Sequence, residues 1–154
     1  MNLYFFDIDD TICHTNPVIQ AVLQNLDQTQ YSKEELTNII NNELDKYGLE
    51  NLDILNNSIY SYLLYLLKHN KTAVYYITAR PSSCRVATVK WLKTHNLWIG
   101  DDKLIMDTDG IKGKTINEIM QNHKEAKFAF LFDDLHANHV ESSVYKNIIA
   151  CLPY

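Results

Sequence analysis

The chain has 154 residues, 46% hydrophobic and 21% charged, with a formal net charge of -5 at pH 7. A chain of this size buries roughly 70% of the surface its unfolded form exposes, so one ordinary globular domain over residues 1–154 needs no disulfide or metal staple, and disorder, collagen-like repeats and low complexity are excluded. The acidic balance offers no basic field to a polyanion, which disfavours nucleic acid as a general partner. The longest apolar stretch, Ile59 to Leu67, is interrupted by three tyrosines and a serine and is too short for a bilayer, so no membrane partner is expected. Met1-Asn2-Leu3 enters an apolar run with no basic region before it, so no signal peptide is expected. Three widely spaced cysteines, Cys13, Cys84 and Cys151, without a C-x-x-C pair, argue against a disulfide framework and a zinc ribbon and point to a reducing, cytoplasmic setting.

Leu3-Tyr4-Phe5-Phe6 is a short continuous apolar run ended by Asp7, the pattern of a strand buried on both faces. Asn16 can cap a helix that begins at Pro17 and carries Val18, Val22 and Leu26 on one face. A second helix opens with a capping box, Ser32 to Glu35, and stops before Gly48. Asp53 is the expected cap of a third, which runs through Ile59, Leu63 and Leu66 to Asn70. Strand and helix then alternate: Ala73 to Ile77, Ser82 to His95, Lys103 to Met106, and Thr115 to Asn122 with a Thr115–Glu118 capping box. Phe128 to Phe132 reads as the most buried strand, followed by a short helix at His139 to Tyr145 and a last strand at Ile148 to Leu152. Alternating strands and helices imply parallel pairing through right-handed crossovers. The expected fold is therefore a three-layer α/β sandwich on a mostly parallel sheet of about five strands, with a small helical insert at about residues 28–52.

Chemistry in such sheets gathers where strands end at their carboxyl side, so the residues just after each strand are the candidates. Asp7 and Asp9 stand two apart, and in extended chain they face one way. Two adjacent carboxylates repel; they suit either a division into ionised nucleophile and protonated acid or joint binding of a divalent metal, while the plain alternative is an acidic loop that caps the next helix. Asp133-Asp134 ends another apolar strand in the same way, and two acidic clusters meet only around positive charge, for which Mg2+ is the natural hard cation. Thr78 at a strand end offers a hydroxyl or is a turn residue, and Lys112 and Lys114 offer charge or are solvated.

In order along the chain, Asp7-Ile8-Asp9-Asp10-Thr11, Ile77-Thr78-Ala79-Arg80-Pro81, Lys112-Gly113 before a helix, and Phe132-Asp133-Asp134 with Asn138 resemble the motifs of the haloacid dehalogenase (HAD) superfamily. The likeness spans Leu3 to Asn138. It implies a Rossmann-like core and a Mg2+-dependent phosphatase acting through an aspartyl-phosphate. Asp7 would be the nucleophile and Asp9 the general acid and base, its carbonyl also binding metal. Thr78, with Ala79 and Arg80, would hold the phosphoryl group; Lys112 would steady its charge; Asp134 would bind Mg2+ with Asp133 in support. The second aspartate, absent from dehalogenase members, favours phosphate esters of small molecules or phosphoproteins. This chain has Asn138 where a further acid is common, leaves Lys112 and Lys114 as rivals with Lys112 preferred, and carries an insert too short for a large cap.

Two other readings compete. Gly113-Lys114-Thr115 before a helix suggests a P-loop, but Thr108 stands where that motif needs glycine, and Asp107 and Asp109 would repel phosphates. A catalytically inactive HAD-fold regulatory or scaffold module is the alternative to an enzyme. His136 and His139 are read as helix-surface residues, Cys13 as packing, and Trp91 as core.

Overall fold

The computed structural model describes residues 1–154. Five strands, β1 (Asn2–Phe6), β2 (Val74–Ile77), β3 (Leu104–Ile105), β4 (Phe128–Phe132) and β5 (Ile148–Cys151), form one all-parallel sheet in the order β3-β2-β1-β4-β5. Six helices connect them: α1 (Asn16–Gln24), α2 (Lys33–Tyr47), α3 (Asn57–Asn70), α4 (Arg85–Thr94), α5 (Lys112–Asn122) and α6 (His136–Ser142).

Alternation along the strands divides the core in two, giving the expected three-layer sandwich. Phe6, Val74 and Tyr76 point to the side covered by α3 and α4, where they pack with Leu63, Leu66, Trp91 and Leu92. Leu3, Phe5, Tyr75 and Ile77 point the other way, towards Ile116 of α5. Register places aromatic residues side by side in neighbouring strands, and Phe6–Phe132 and Phe5–Tyr75 stack at ring-centre distances of 4.6 and 4.9 Å. No helix is long and apolar enough to cross a membrane.

Several local expectations change, each because a distant segment supplies what the local sequence offers. Asp10, with φ 55, accepts from Thr15 N and Asn16 N at 3.2 and 2.8 Å, so α1 begins at Asn16 rather than being capped by it. Helix α3 begins at Asn57, capped by Asn56 instead of Asp53. The reason is that His14 N donates to Asp53 O and Cys13 bridges Ile54, which keeps residues 53–55 extended beside the turn after β1. The Thr115–Glu118 capping box does not form. The Glu141 carboxylate of α6 accepts from Gly113 N and Lys114 N at 2.6 and 3.2 Å, which lets α5 start a turn early. An Asp133 side chain that accepts from Leu135 N likewise starts α6 at His136. Strand β2, not β4, is the fully buried one, since Phe128 at the start of β4 is exposed. The capping box of α2 forms as expected, with Ser32 and Glu35 exchanging bonds.

Candidate active site

Strand order reverses between β1 and β4, the place where an open parallel sheet leaves a crevice. The ladder continues one residue past several strands there. Asp7 N donates to Phe132 O at 2.9 Å, Asp133 N to Cys151 O at 3.2 Å, and Thr78 N to Ile105 O at 2.9 Å. Each candidate side chain therefore stands on anchored backbone.

Lys112 joins the first and last acidic motifs. Its Nζ lies 2.8 Å from Asp7 Oδ1 and 2.7 Å from Asp133 Oδ2, and all three residues are buried. Lys114 points elsewhere, exposed and loosely paired with Glu118, so geometry separates the two lysines. The P-loop reading meets an obstacle at the same point, because Glu141 occupies the N–H groups that would cradle a phosphate.

Asp133 is fully engaged: Lys112, Leu135 N and the Asn138 amide, at 3.1 and 3.0 Å, take its two oxygens. Asn138, where a further acid is common in the resembled motif, thus works as a donor that orients Asp133. His139, a surface residue of its helix by sequence pattern, is half-buried and holds the same turn, its Nε2 2.7 Å from the Asp133 carbonyl. Asp134 is half-buried with no partner outside its own residue.

Burial pushes the Asp7 carboxyl up to about 8, with Asp133 and Asp9 adding to the rise and Lys112 opposing it. Burial alone would lower Lys112, but the Asp7 and Asp133 carboxylates outweigh it and its pKa is raised. Burial, then Asp133, raises Asp134 as well. Oxygen atoms of Asp7, Asp133 and Asp134 all lie within 4.8 Å of one another. Such an oxygen-only set suits a hard divalent ion. The wider charge count agrees: four carboxylates (Asp7, Asp9, Asp133, Asp134) face two cations (Lys112, Arg80), a deficit of two positive charges when all are ionised. Asp7 and Asp134 have oxygen to spare, and the Asp9 carbonyl accepts no hydrogen bond.

The second motif builds the opposite wall. Thr78 is buried, its Oγ1 accepts from Arg80 N at 3.1 Å, and its hydroxyl hydrogen has no acceptor in the chain. The Ala79 N–H is also without one. Arg80 is buried and grips the Asp9 carboxylate in a two-pronged pair, Nε to Oδ2 at 2.9 Å and an Nη to Oδ1 at 2.7 Å. Its other Nη donates to Thr88 Oγ1 at 3.0 Å. The structure therefore gives Arg80 to Asp9, and Thr88, four residues after Cys84 on the inner face of α4, is a supporting residue that sequence reasoning missed. Asp9 stands apart from the Asp7–Asp133–Asp134 cluster because the chain leaves the extended form after Asp7, where three N–H groups, from Thr11, Ile12 and Cys13, converge on Ile8 O. Burial pushes the Cys13 thiol up to about 12, which removes it as a nucleophile. Trp91 is core, its Nε1 bonded to Leu52 O at 2.7 Å.

Comparison with protein-family models and with curated proteins finds no match to this chain.

Proposed function

We propose that this chain is a Mg2+-dependent phosphatase of the haloacid dehalogenase type, which hydrolyses phosphate monoesters through an aspartyl-phosphate on Asp7. One observation carries the reading: Asp7, Asp133 and Asp134, far apart in sequence, meet at the switch point of the sheet around Lys112. A bound Mg2+ would be held by Asp7, Asp134 and the Asp9 carbonyl, and would supply the positive charge that draws Asp7 into its ionised form and neutralises phosphoryl oxygens.

The chain's own residues divide the remaining work. An Asp7 oxygen attacks phosphorus and the bond to the ester oxygen breaks, with the leaving alkoxide taking a proton from Asp9. Water then attacks the same phosphorus, Asp9 takes the water's proton, and the bond to Asp7 breaks to release phosphate and restore both carboxyls. Thr78 Oγ1 and Ala79 N–H donate to the phosphoryl oxygens, while Lys112 balances charge between nucleophile and phosphate. The Arg80 grip on Asp9 must loosen before Asp9 can carry a proton, and an arriving phosphoryl dianion is the group that competes for that guanidinium.

The test is release of inorganic phosphate from an aryl phosphate with Mg2+. The expected result is turnover that stops on chelation and falls by about 10³-fold or more in Asp7→Asn, the order seen when a nucleophile is removed. Turnover that survives Asp7→Asn would remove the assigned nucleophile. Silence of the parent protein on a broad phosphate panel would favour the scaffold alternative.

A further inference from the structure

One half of one face of the sheet has no helix over it. Alternation sends Ala129, Leu131 and Ile148 to the side of α5, where they are buried. It sends Phe128, Phe130, Phe132, Ile149 and Cys151 to the side of α3, where none of them is buried. Helix α3 reaches across only as far as Phe132, whose ring meets Tyr62 at 5.8 Å, and Tyr4 stacks on Phe130 at 5.6 Å. Tyr65, three residues on, shares the side of α3 that carries Tyr62. An all-parallel sheet is ordinarily covered on both faces, so a bare apolar half calls for a partner. The edge strand β5 agrees: Ile148 to Cys151 has no charge, no proline and no bulge, none of the devices that keep an exposed edge from associating. The hydroxyls of Tyr4, Tyr62 and Tyr65 bond to nothing in the chain, whereas those of Tyr60, Tyr75 and Tyr76 each have a partner.

We infer that this face is the interface of a homodimer, in which two copies pack their bare half-sheets together about a two-fold axis. The inference is independent of the phosphatase reading. Area is the first argument. Phe128, Ile149, Tyr62 and Tyr65 are 42, 41, 38 and 57% exposed. With their half-buried neighbours they present about 500 Å2 of apolar surface, taking roughly 150–250 Å2 for a whole aromatic side chain. At the roughly 65% apolar share of homodimer interfaces, such a core belongs to a patch of about 800 Å2 per copy, the size a stable dimer buries. Charge is the second argument. The face carries no carboxylate, ammonium or guanidinium, so two copies of a chain of net charge -5 meet there without repulsion, and a nucleic acid or charged peptide finds no counter-charge. Shape is the third: α3 rises beside the bare strands as a step, and a two-fold axis sets one step into the other.

Sedimentation equilibrium of the parent protein over about 1–100 µM tests this. The expected result is twice the 17.9 kDa chain mass, with a dissociation constant of about 10 µM or tighter. Phe128→Lys and Ile149→Lys, both at exposed positions, set like charges against each other across the axis, and each should weaken association by about 100-fold or more. Val86→Lys, on the outer side of α4, should leave it unchanged. Circular dichroism confirms that each variant is folded. A second readout needs no variant: on dilution through the dissociation constant the ring resonances of Phe128 and Tyr65 should shift, while those of Tyr47 on α2 stay in place. A parent that stays monomeric overturns the inference, whether the face is then bare or taken by a different protein. A dimer that survives both lysine substitutions, or whose dissociation leaves Phe128 and Tyr65 unmoved, overturns it too.

Discussion

Lys112 is the residue on which the acidic site most depends. Its ammonium separates two buried carboxylates, and nothing else within reach can take its place. Lys112→Met keeps the length of the side chain and removes the charge, leaving Asp133 buried without its cation and Asp7 held more firmly in its protonated form. The expected loss is about 3–5 kcal/mol of stability in metal-free protein, read by urea denaturation, together with loss of phosphatase turnover. A loss near zero would mean that water reaches Lys112 and Asp133 in the folded protein. The choice between Lys112 and Lys114 is open in the sequence, though Lys112 is preferred, because two lysines two residues apart before a helix look alike. Only the start of α5 at Lys112, set by Glu141 from the next helix, decides that one faces the carboxylates and the other faces water.

At the scale of elements, α5 and α6 approach so closely that Gly113 is required. A Cβ there would lie 2.7 Å from Ser142 Cα and 2.8 Å from a Glu141 carboxylate oxygen. In an exposed helix Gly→Ala gains about 1 kcal/mol, but here the backbone contact cannot yield without moving α6. Gly113→Ala should therefore destabilise the protein, by about 1–3 kcal/mol in thermal or urea unfolding. Because the shift starts one residue from Lys112, it should also lower kcat for an aryl phosphate. A stabilised variant would show that the helices have room. Sequence patterns located all the helices and strands, since apolar periodicity is local. They misplaced several helix starts because the caps come from elsewhere: Asp10 for α1, Glu141 for α5, and for α3 a pairing of residues 53–55 with the turn after β1.

The whole molecule folds around a charge imbalance that a cation would relieve, and its stability should report this. In metal-free protein the folded Asp7 carboxyl holds its proton up to about 8 because it is buried, whereas the unfolded chain gives the proton up near the ordinary aspartate value of about 4. Folded protein thus binds more protons across that window, and stability falls as pH rises through it. The raised Asp10 and Asp134 carboxyls act with the same sign. A divalent ion favours the ionised form, so added Mg2+ should raise Tm, and the gap between Mg2+-loaded and metal-free protein should widen from about pH 5 to about pH 8. Thermal scans across that range decide it. A gap that is absent or narrows with pH would remove the proposed metal site.

The strand-helix order, the sandwich it builds and the acidic residues at strand ends were all present in the chain's own pattern, because hydrophobic period and strand termini are local properties of a sequence. What the chain by itself left open was partnership. That Arg80 grips Asp9 rather than an incoming phosphate, and that Asn138 and His139 hold Asp133 in place, depend on residues brought together from different loops and helices. Hydrogen bonds and ion pairs act over a few ångströms of space, whatever the separation along the chain, so only the assembled sheet and its crossovers bring these partners within reach.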